Sequence, residues 1–379
     1  MKILFITTDW NTPYRIATGE YGGVGYYRAH GPAKALCKLG HDVDVKGKDL
    51  GKGFDTTDMI GSYKKVFAPY DVVVIKQADT ANSGKLIGAC KELHIPVVMD
   101  LDDLITELDP DNPATKLGYE KGDAKQALAV AALSMVDGLF VSTQTLKDEY
   151  TKYLHDIFKI DMPVYVLPNY CDKDLWTKIQ RNDDDNFVVG WQGSISHDGD
   201  VALVLPAMKK FMAEHDDAVF MLTGGIRQET YDDMFVKNFE QSSLDRIVIQ
   251  RGTESFAPFP EYLSRHQWDI GIAPLRNTRF TRCKSHIKWL EYSLLQVPTI
   301  ASNVKPYSDY IENGVTGVLV DDDSWYDAIS EFYNNTKKGL YIARHAHKHV
   351  VETQQYKQHV NEWVDAFDSV IKAGSKSLL

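Results

Sequence analysis

The chain has 379 residues, 44% hydrophobic and 25% charged, with a formal net charge of −11. That length exceeds one ordinary core and suits two globular domains, while the negative balance excludes a general polyanion binder. No apolar run reaches the length of a membrane span, and the four cysteines, Cys37, Cys90, Cys171 and Cys283, lack metal-like or paired spacing, which suits a reducing cytoplasm.

The opening apolar run is soon interrupted by Asp9, too short for a signal peptide, and reads as a first strand, Ile3–Thr7. An insert from Asp9 to Tyr21, carrying Arg15, leads to Gly22-Gly23-Val24-Gly25-Tyr26-Tyr27-Arg28 and a helix over Tyr26–Leu39. Glycines between a strand and a helix let backbone approach a phosphate or a sugar, and the helix N-terminus favours negative charge. Further strands are expected at Val43–Lys46, Val72–Ile75, Val97–Asp100, Gly138–Ser142 and Val164–Leu167. Helices fit between them at Gly84–Leu93, Ala124–Ser134 and Leu146–Leu154. Lysines 46, 48, 52, 64 and 65, with Arg15 and Arg28, make this first stretch locally basic, either a solvated surface or a place for an anionic acceptor. After the fourth strand, Asp100, Asp102 and Asp103 stand close together, able to orient hydroxyls, act as a base, hold Mg²⁺ or cap a helix.

An acidic stretch, Asp172 to Asn186, reads as a linker. The plan then repeats with strands at Phe187–Trp191, Val219–Thr223, Ile247–Gln250, Asp269–Ala273, Thr299–Ser302 and Gly317–Val320. Gly193-Ser194 closes the first of these, and His197 and Asp200 follow. Arg251 ends the third, with Phe256 and Phe259 beyond as rings able to stack on a base. After the fourth comes a loop with Arg276, Arg279, Arg282 and Lys284, then a helix from about Ser285 to Leu295. Lys284, Lys288 and Glu291 fall on one face at i, i+4 and i+7, suited to a phosphate at the helix start and sugar hydroxyls beyond it. From Trp325 to about Ala373 the chain reads as helical, and the His345–His349 pair there lacks any third ligand.

The block Asp269 to Ser302 resembles the donor-binding segment of GT-B glycosyltransferases of the retaining "group 1", family four-like, type. Their strand, Pro, loop, Glu-bearing helix and Gly-x-Pro-Val-Ile-Ala-Ser appear here as Ala273-Pro274, Leu290-Glu291-Tyr292-Ser293 and Gln296-Val297-Pro298-Thr299-Ile300-Ala301-Ser302. Val166-Leu167-Pro168-Asn169 resembles the family's hinge, and Gly190-Trp191-Gln192-Gly193-Ser194 its second-domain opening. The resemblance implies an α/β protein of two Rossmann-like doubly wound domains facing a central cleft, with C-terminal helices crossing back. The expected parts are an acceptor-side domain 1–172, a linker 173–186, a nucleotide-sugar domain 187–350 and a returning helix 351–379. It implies sugar transfer with retention from a nucleotide-diphosphate sugar, a UDP-sugar before a GDP-sugar, with no tightly bound cofactor or metal. Glu291 would hold the ribose. Gly22, Gly23, Gly193, Ser194, Arg251, Lys284, Ser285 and Lys288 would complete the donor site. Asp100, Asp102 and Asp103 would be catalytic, and Arg15, Tyr26 and Arg28 would meet the acceptor.

Two departures matter. The position of the family's first glutamate is Cys283, and the usual arginine and lysine are absent between Trp191 and Asp200. Lys284 and the loop arginines would therefore supply the positive charge. The acceptor stays open among a glycan, a lipid-linked sugar, a small metabolite and a hydroxylated base in DNA. A Mg²⁺-dependent phosphatase of the haloacid-dehalogenase type, using Asp100 and Asp102, and a non-catalytic sugar-nucleotide binder are the competing readings.

Overall fold

The computed structural model describes residues 1–7, 21–51, 53–110, 112, 115–179, 186–194, 197–224, 228–253 and 255–376. Twelve strands form two parallel sheets. The first contains β1 (Lys2–Ile6), β2 (Asp42–Lys46), β3 (Val72–Lys76), β4 (Val97–Leu101), β5 (Gly138–Val141) and β6 (Val164–Val166). The second contains β7 (Phe187–Gly193), β8 (Ala218–Gly224), β9 (Ile247–Gln250), β10 (Ile270–Ala273), β11 (Thr299–Ser302) and β12 (Val318–Val320). All twelve strands expected from the apolar runs are present, with ends displaced by a residue or two. Strands such as Val72–Lys76 and Val97–Leu101 are buried along their whole length, as helices on both faces of a parallel sheet require.

The strand orders are β2-β1-β3-β4-β5-β6 and β12-β11-β10-β7-β8-β9. In the second sheet the chain reverses its direction of travel between β7 and β10, and at such a switch point a crevice opens beyond the strand ends. Gln192, Gly193 and Ser194 lie at that end of β7, and Leu275 lies just past β10. Register here depends on glycine. At Gly224 φ is +130°, and an added Cβ would lie 1.8 Å from the carbonyl oxygen of Gly193, its partner across the β7–β8 ladder.

The helix Tyr356–Lys376 returns to the first sheet. Its Trp363 and Phe367 rings pack on Phe5 and Phe140 at centroid distances of 5.2–6.1 Å. Cys171 forms a parallel bridge with Gln355, so the outgoing and returning chains run side by side. A second tie is aromatic. Phe256 of the second half stacks on Tyr26 of the first at 4.0 Å, and its N–H donates to the Tyr21 carbonyl at 2.7 Å. Of the expected linker, residues 180–185 lie outside the described residues. The helix Met59–Phe67 was not anticipated from the sequence.

Candidate active site

A cleft of about 660 Å³ lies between the carboxyl ends of the two sheets. The first half contributes Gly22, Gly23, Val24, Tyr27, Asp102, Asp103 and Asn169 to its lining. From the second half come residues beyond the ends of β7 and β9 and on the following helix, among them Gln192, His197, Thr253, Lys284, Lys288 and Glu291. An added Cβ at Gly23 would meet nothing within 4 Å, so internal packing does not demand glycine there. The Gly loop opens a helix that continues through a π-helical turn, Tyr26–His30, into Gly31–Lys38. That turn places Tyr27 in the cleft while Tyr26 and Arg28 face inward.

Helix Ile287–Leu294 forms the floor, with Lys284 and Ser285 in the approach to it. Glu291 is 2% exposed and held from both halves: Tyr27 Oη donates to Oε1 at 2.9 Å and Gln192 Nε2 to Oε2 at 2.5 Å. Burial pushes its carboxyl up to about 8, against the hydrogen bonds from Tyr27 and Gln192 and the charge of Lys288. One turn earlier, burial and then the Lys284 charge push Lys288 down to about 8, with Asp200 and Glu291 opposing. Burial alone would lower Lys284 too, but Asp103 at 3.0 Å leads the carboxylates that hold it above its ordinary value. Ser285 Oγ accepts from Asn169 Nδ2 at 3.0 Å, another tie between the halves.

The three aspartates of the β4 end have different surroundings. Asp100 is 1% exposed and receives Arg28, itself 1% exposed, through both oxygens, at 3.0 Å from Nε and 2.7 Å from the terminal nitrogen. It does not reach the cleft. Asp102 does, and pairs with Lys76 at the end of β3, whose Nζ is also 3.7 Å from Asp100. Burial would raise the Asp102 carboxyl, but Lys76, with Arg28 and Lys284 beyond, holds it below its ordinary value. Asp103 faces Lys284 across the cleft. An alternating chain, Arg28–Asp100–Lys76–Asp102, thus runs from the first core into the cleft, where the Lys284–Asp103 pair stands nearby.

Several expectations change. Arg28 is a buried partner of Asp100, Leu167 O and Asn169, and Tyr26 is covered by Phe256, its hydroxyl accepting from the Asp172 N–H. Neither reaches an acceptor in the cleft. Arg15 lies outside the described residues. Arg251 is exposed and only its neighbours Gly252 and Thr253 line the cleft. The loop arginines answer carboxylates outside the cleft: Arg276 meets Asp109 of the first half and Asp200 of the second, and Arg279 meets Glu107 and Glu149 of the first. Arg282 bonds Asn277. The positive charge in the cleft therefore comes from Lys284 and Lys288. Phe256 and Phe259 both line the cleft, and the Phe256 ring also stacks on Tyr26. Gly22, Gly23, Gly193, Ser194, Ser285 and Glu291 all line the cleft as expected. The site residues not assigned from sequence are Tyr27, Lys76, Asn169, Gln192 and His197. Tyr27 could have been chosen over Tyr26 only by knowing the π-helical turn. Asp100, closed by Arg28, does not reach the cleft, so the paired Asp100 and Asp102 of the phosphatase reading are not presented there together.

Residues 186–335, most of the second half, match the model of the family described as glycosyl transferases group 1. The second domain is that of a group 1 glycosyltransferase. The whole chain superposes on GT-B structures, and it is a two-domain GT-B glycosyltransferase. Sucrose-phosphate synthase from Thermosynechococcus elongatus is similar at 13% identity and a TM-score of 0.70, covering 98% of this chain and 99% of that one. A glycosyltransferase from Rickettsia africae is similar at 15% identity and a TM-score of 0.64, covering 98% of each chain. HepE of Anabaena, in complex with UDP-glucose, is similar at 17% identity and a TM-score of 0.62, covering 97% of this chain and 100% of that one. No curated protein sequence is significantly similar to the chain. No helix among the described residues is long and apolar enough to cross a membrane.

Proposed function

We propose that this glycosyltransferase moves a sugar from a UDP-sugar to a hydroxyl acceptor with retention at the anomeric carbon. The observation that carries the reading is Glu291, a buried carboxylate on the cleft floor, one turn beyond Lys288. Once ionised, that carboxyl offers two acceptors to the vicinal ribose hydroxyls, and two ammonium groups stand on the diphosphate side. HepE, the neighbour of similar fold, binds UDP-glucose, which favours UDP over GDP.

In this reading Lys284, Lys288, Ser285 and the β7-end Gly193 and Ser194 hold the diphosphate, with Gly22 and Gly23 closing over it from the first domain. As the bond from the anomeric carbon to the diphosphate breaks, negative charge grows on the leaving group, and prearranged cations stabilise it without reorganisation. Asp102 is held ionised by Lys76, which makes it a weak base and a good acceptor for a sugar or acceptor hydroxyl. It orients that hydroxyl and offsets positive charge on the sugar ring. Asp103 shares Lys284 and sets its place between the halves. Asp100 and Arg28 position Asp102 through the buried chain instead of touching substrate. Water is excluded by closure of the two domains, which limits donor hydrolysis. Cysteines without disulfides fit a cytoplasmic setting.

UDP release from UDP-glucose, UDP-galactose and UDP-N-acetylglucosamine, measured with mixed glycan, polyol and hydroxymethylated-DNA acceptors, tests the reading. Acceptor-dependent UDP release with one donor is expected. Absence of release with every donor and acceptor, from protein that binds UDP, would leave a sugar-nucleotide binder. Salt-sensitive binding of duplex DNA separates a DNA acceptor from a glycan.

A further inference from the structure

Just past the end of β7, a buried aspartate backs a histidine that lines the cleft. Asp200 is 2% exposed, and its Oδ1 accepts the Arg276 backbone N–H at 3.0 Å and lies 3.5 Å from Arg276 Nε. Its Oδ2 lies 2.8 Å from His197 Nδ1. A carboxylate is acceptor only, so the imidazole proton sits on Nδ1 and the lone pair on Nε2. That Nε2 faces Lys288 Nζ at 3.5 Å, and the ammonium also lies 6.0 Å from the centroid of the Trp191 ring. His197 and Lys288 both line the cleft, whereas Asp200 stands behind them.

We propose that Asp200 and His197 are positioning residues that hold the Lys288 ammonium on the donor diphosphate. The inference rests on the donor reading above. A lysine head sits on a flexible four-carbon stem and loses much rotamer freedom when fixed. Two fixed points, the imidazole lone pair and the indole face, select one placement before the ligand arrives. An ammonium has three donors, so one hydrogen bond to His197 leaves two for phosphate oxygens. His197 suits this task only while neutral, and burial followed by the nearby Lys288 charge pushes it down to about 3. A second cation at His197 would repel Lys288, so the Asp–His pair gives the cleft an acceptor where a charged side chain would give it a competitor. The groups around Lys288 are His197 and Asp200 from the β7 side, and Lys284 and Glu291 along its own segment.

The test compares UDP with uridine by calorimetry on wild type, His197→Ala, His197→Gln, Lys288→Met and the His197→Ala/Lys288→Met double variant. His197→Ala is expected to weaken UDP by roughly tenfold, the size of one charge-assisted hydrogen bond, with uridine binding unchanged. His197→Gln, whose amide oxygen accepts from Lys288, is expected to recover most of the loss. In the Lys288→Met background, removing His197 should have no further effect on UDP. Equal losses for UDP and uridine, equal losses in the Ala and Gln variants, or additive effects in the double variant would each overturn the proposal. A wild type that binds no UDP at all would overturn the donor reading beneath it.

Discussion

Tyr27 donates its phenolic hydrogen to Glu291 across the cleft at 2.9 Å, joining residues 264 positions apart. The carboxyl assigned to the ribose is therefore also one of the groups that tie the two domains together. A bound ribose has to replace the phenol or share the carboxylate with it, so donor binding and domain contact are coupled at one side chain.

Tyr27→Phe should show that coupling. Loss of a hydrogen bond to the Glu291 carboxyl costs about 0.5–1.5 kcal/mol in its neutral form and more once it is ionised, and in a domain of roughly 150–250 residues each kcal/mol moves Tm by roughly 2–4 °C. Ligand-free Tyr27→Phe is expected to melt several degrees below wild type. Saturating UDP should narrow the gap, because ribose hydroxyls then satisfy Oε1. Thermal melts with and without UDP check this, and a gap that UDP leaves unchanged would contradict it.

Glu291 is also a source of instability in the empty protein. Its folded-state pKa, raised to about 8 by burial, lies above the ordinary carboxylate value. The folded state then holds a proton that the unfolded state releases, so this group's contribution falls as pH rises from about 4.5 to 8. Glu291→Gln imitates the neutral form. The variant is expected to gain in Tm relative to wild type as pH rises from 6 to 9, while its UDP affinity drops. Parallel melts over that range decide the matter, and a Tm difference independent of pH would count against it.

Buried histidines set the acid limit. Burial pushes His30 down to about 4 and His197 and His286 down to about 3. A lowered histidine binds fewer protons folded than unfolded, so stability is lost as pH falls below about 6.5, by up to about 1.4 kcal/mol per unit for each group. Urea unfolding at pH 7, 6 and 5 should show a steepening decline. His286→Phe should flatten it, since that ring already stacks on Tyr310 at 3.4 Å.

Arg28 and Asp100 form the buried end of the ion chain. Removing one partner strands a buried charge, at a cost of about 3–5 kcal/mol. Asp100→Ala is expected to destabilise strongly, and Arg28→Met/Asp100→Leu together to restore much of the loss. Because Asp100 touches no substrate in this account, the double variant should keep UDP affinity within about threefold of wild type, a factor under about 0.7 kcal/mol. Chemical denaturation and calorimetry on the same preparations measure both.

The sheets were legible because strands buried on both faces, such as Val72–Ile75 and Val97–Met99, must be written as continuous β-branched or apolar runs. Glu291 and Lys288 were legible because a helix face fixes their spacing. Tertiary pairing was not. The loop arginines read as a phosphate grip, but Asp109, Glu107 and Glu149, more than a hundred positions earlier, take Arg276 and Arg279. Asp100 and Asp102 looked alike in the sequence, yet Asp100 lies inside β4, closed by Arg28, while Asp102 lies just past the strand end, where it meets Lys76 and reaches the cleft. Helix Met59–Phe67 carries Met59, Ile60, Tyr63, Val66 and Phe67 on one face at helical spacing, a period that the sequence itself displays.

The central claim is that the cleft is a nucleotide-diphosphate site organised on Glu291. Titration calorimetry of UDP against wild type and Glu291→Ala tests it most directly. The account predicts saturable, one-to-one binding by the wild type and loss of at least tenfold in the variant, with its fold retained. Equal binding by both proteins, or none by the wild type, would contradict it.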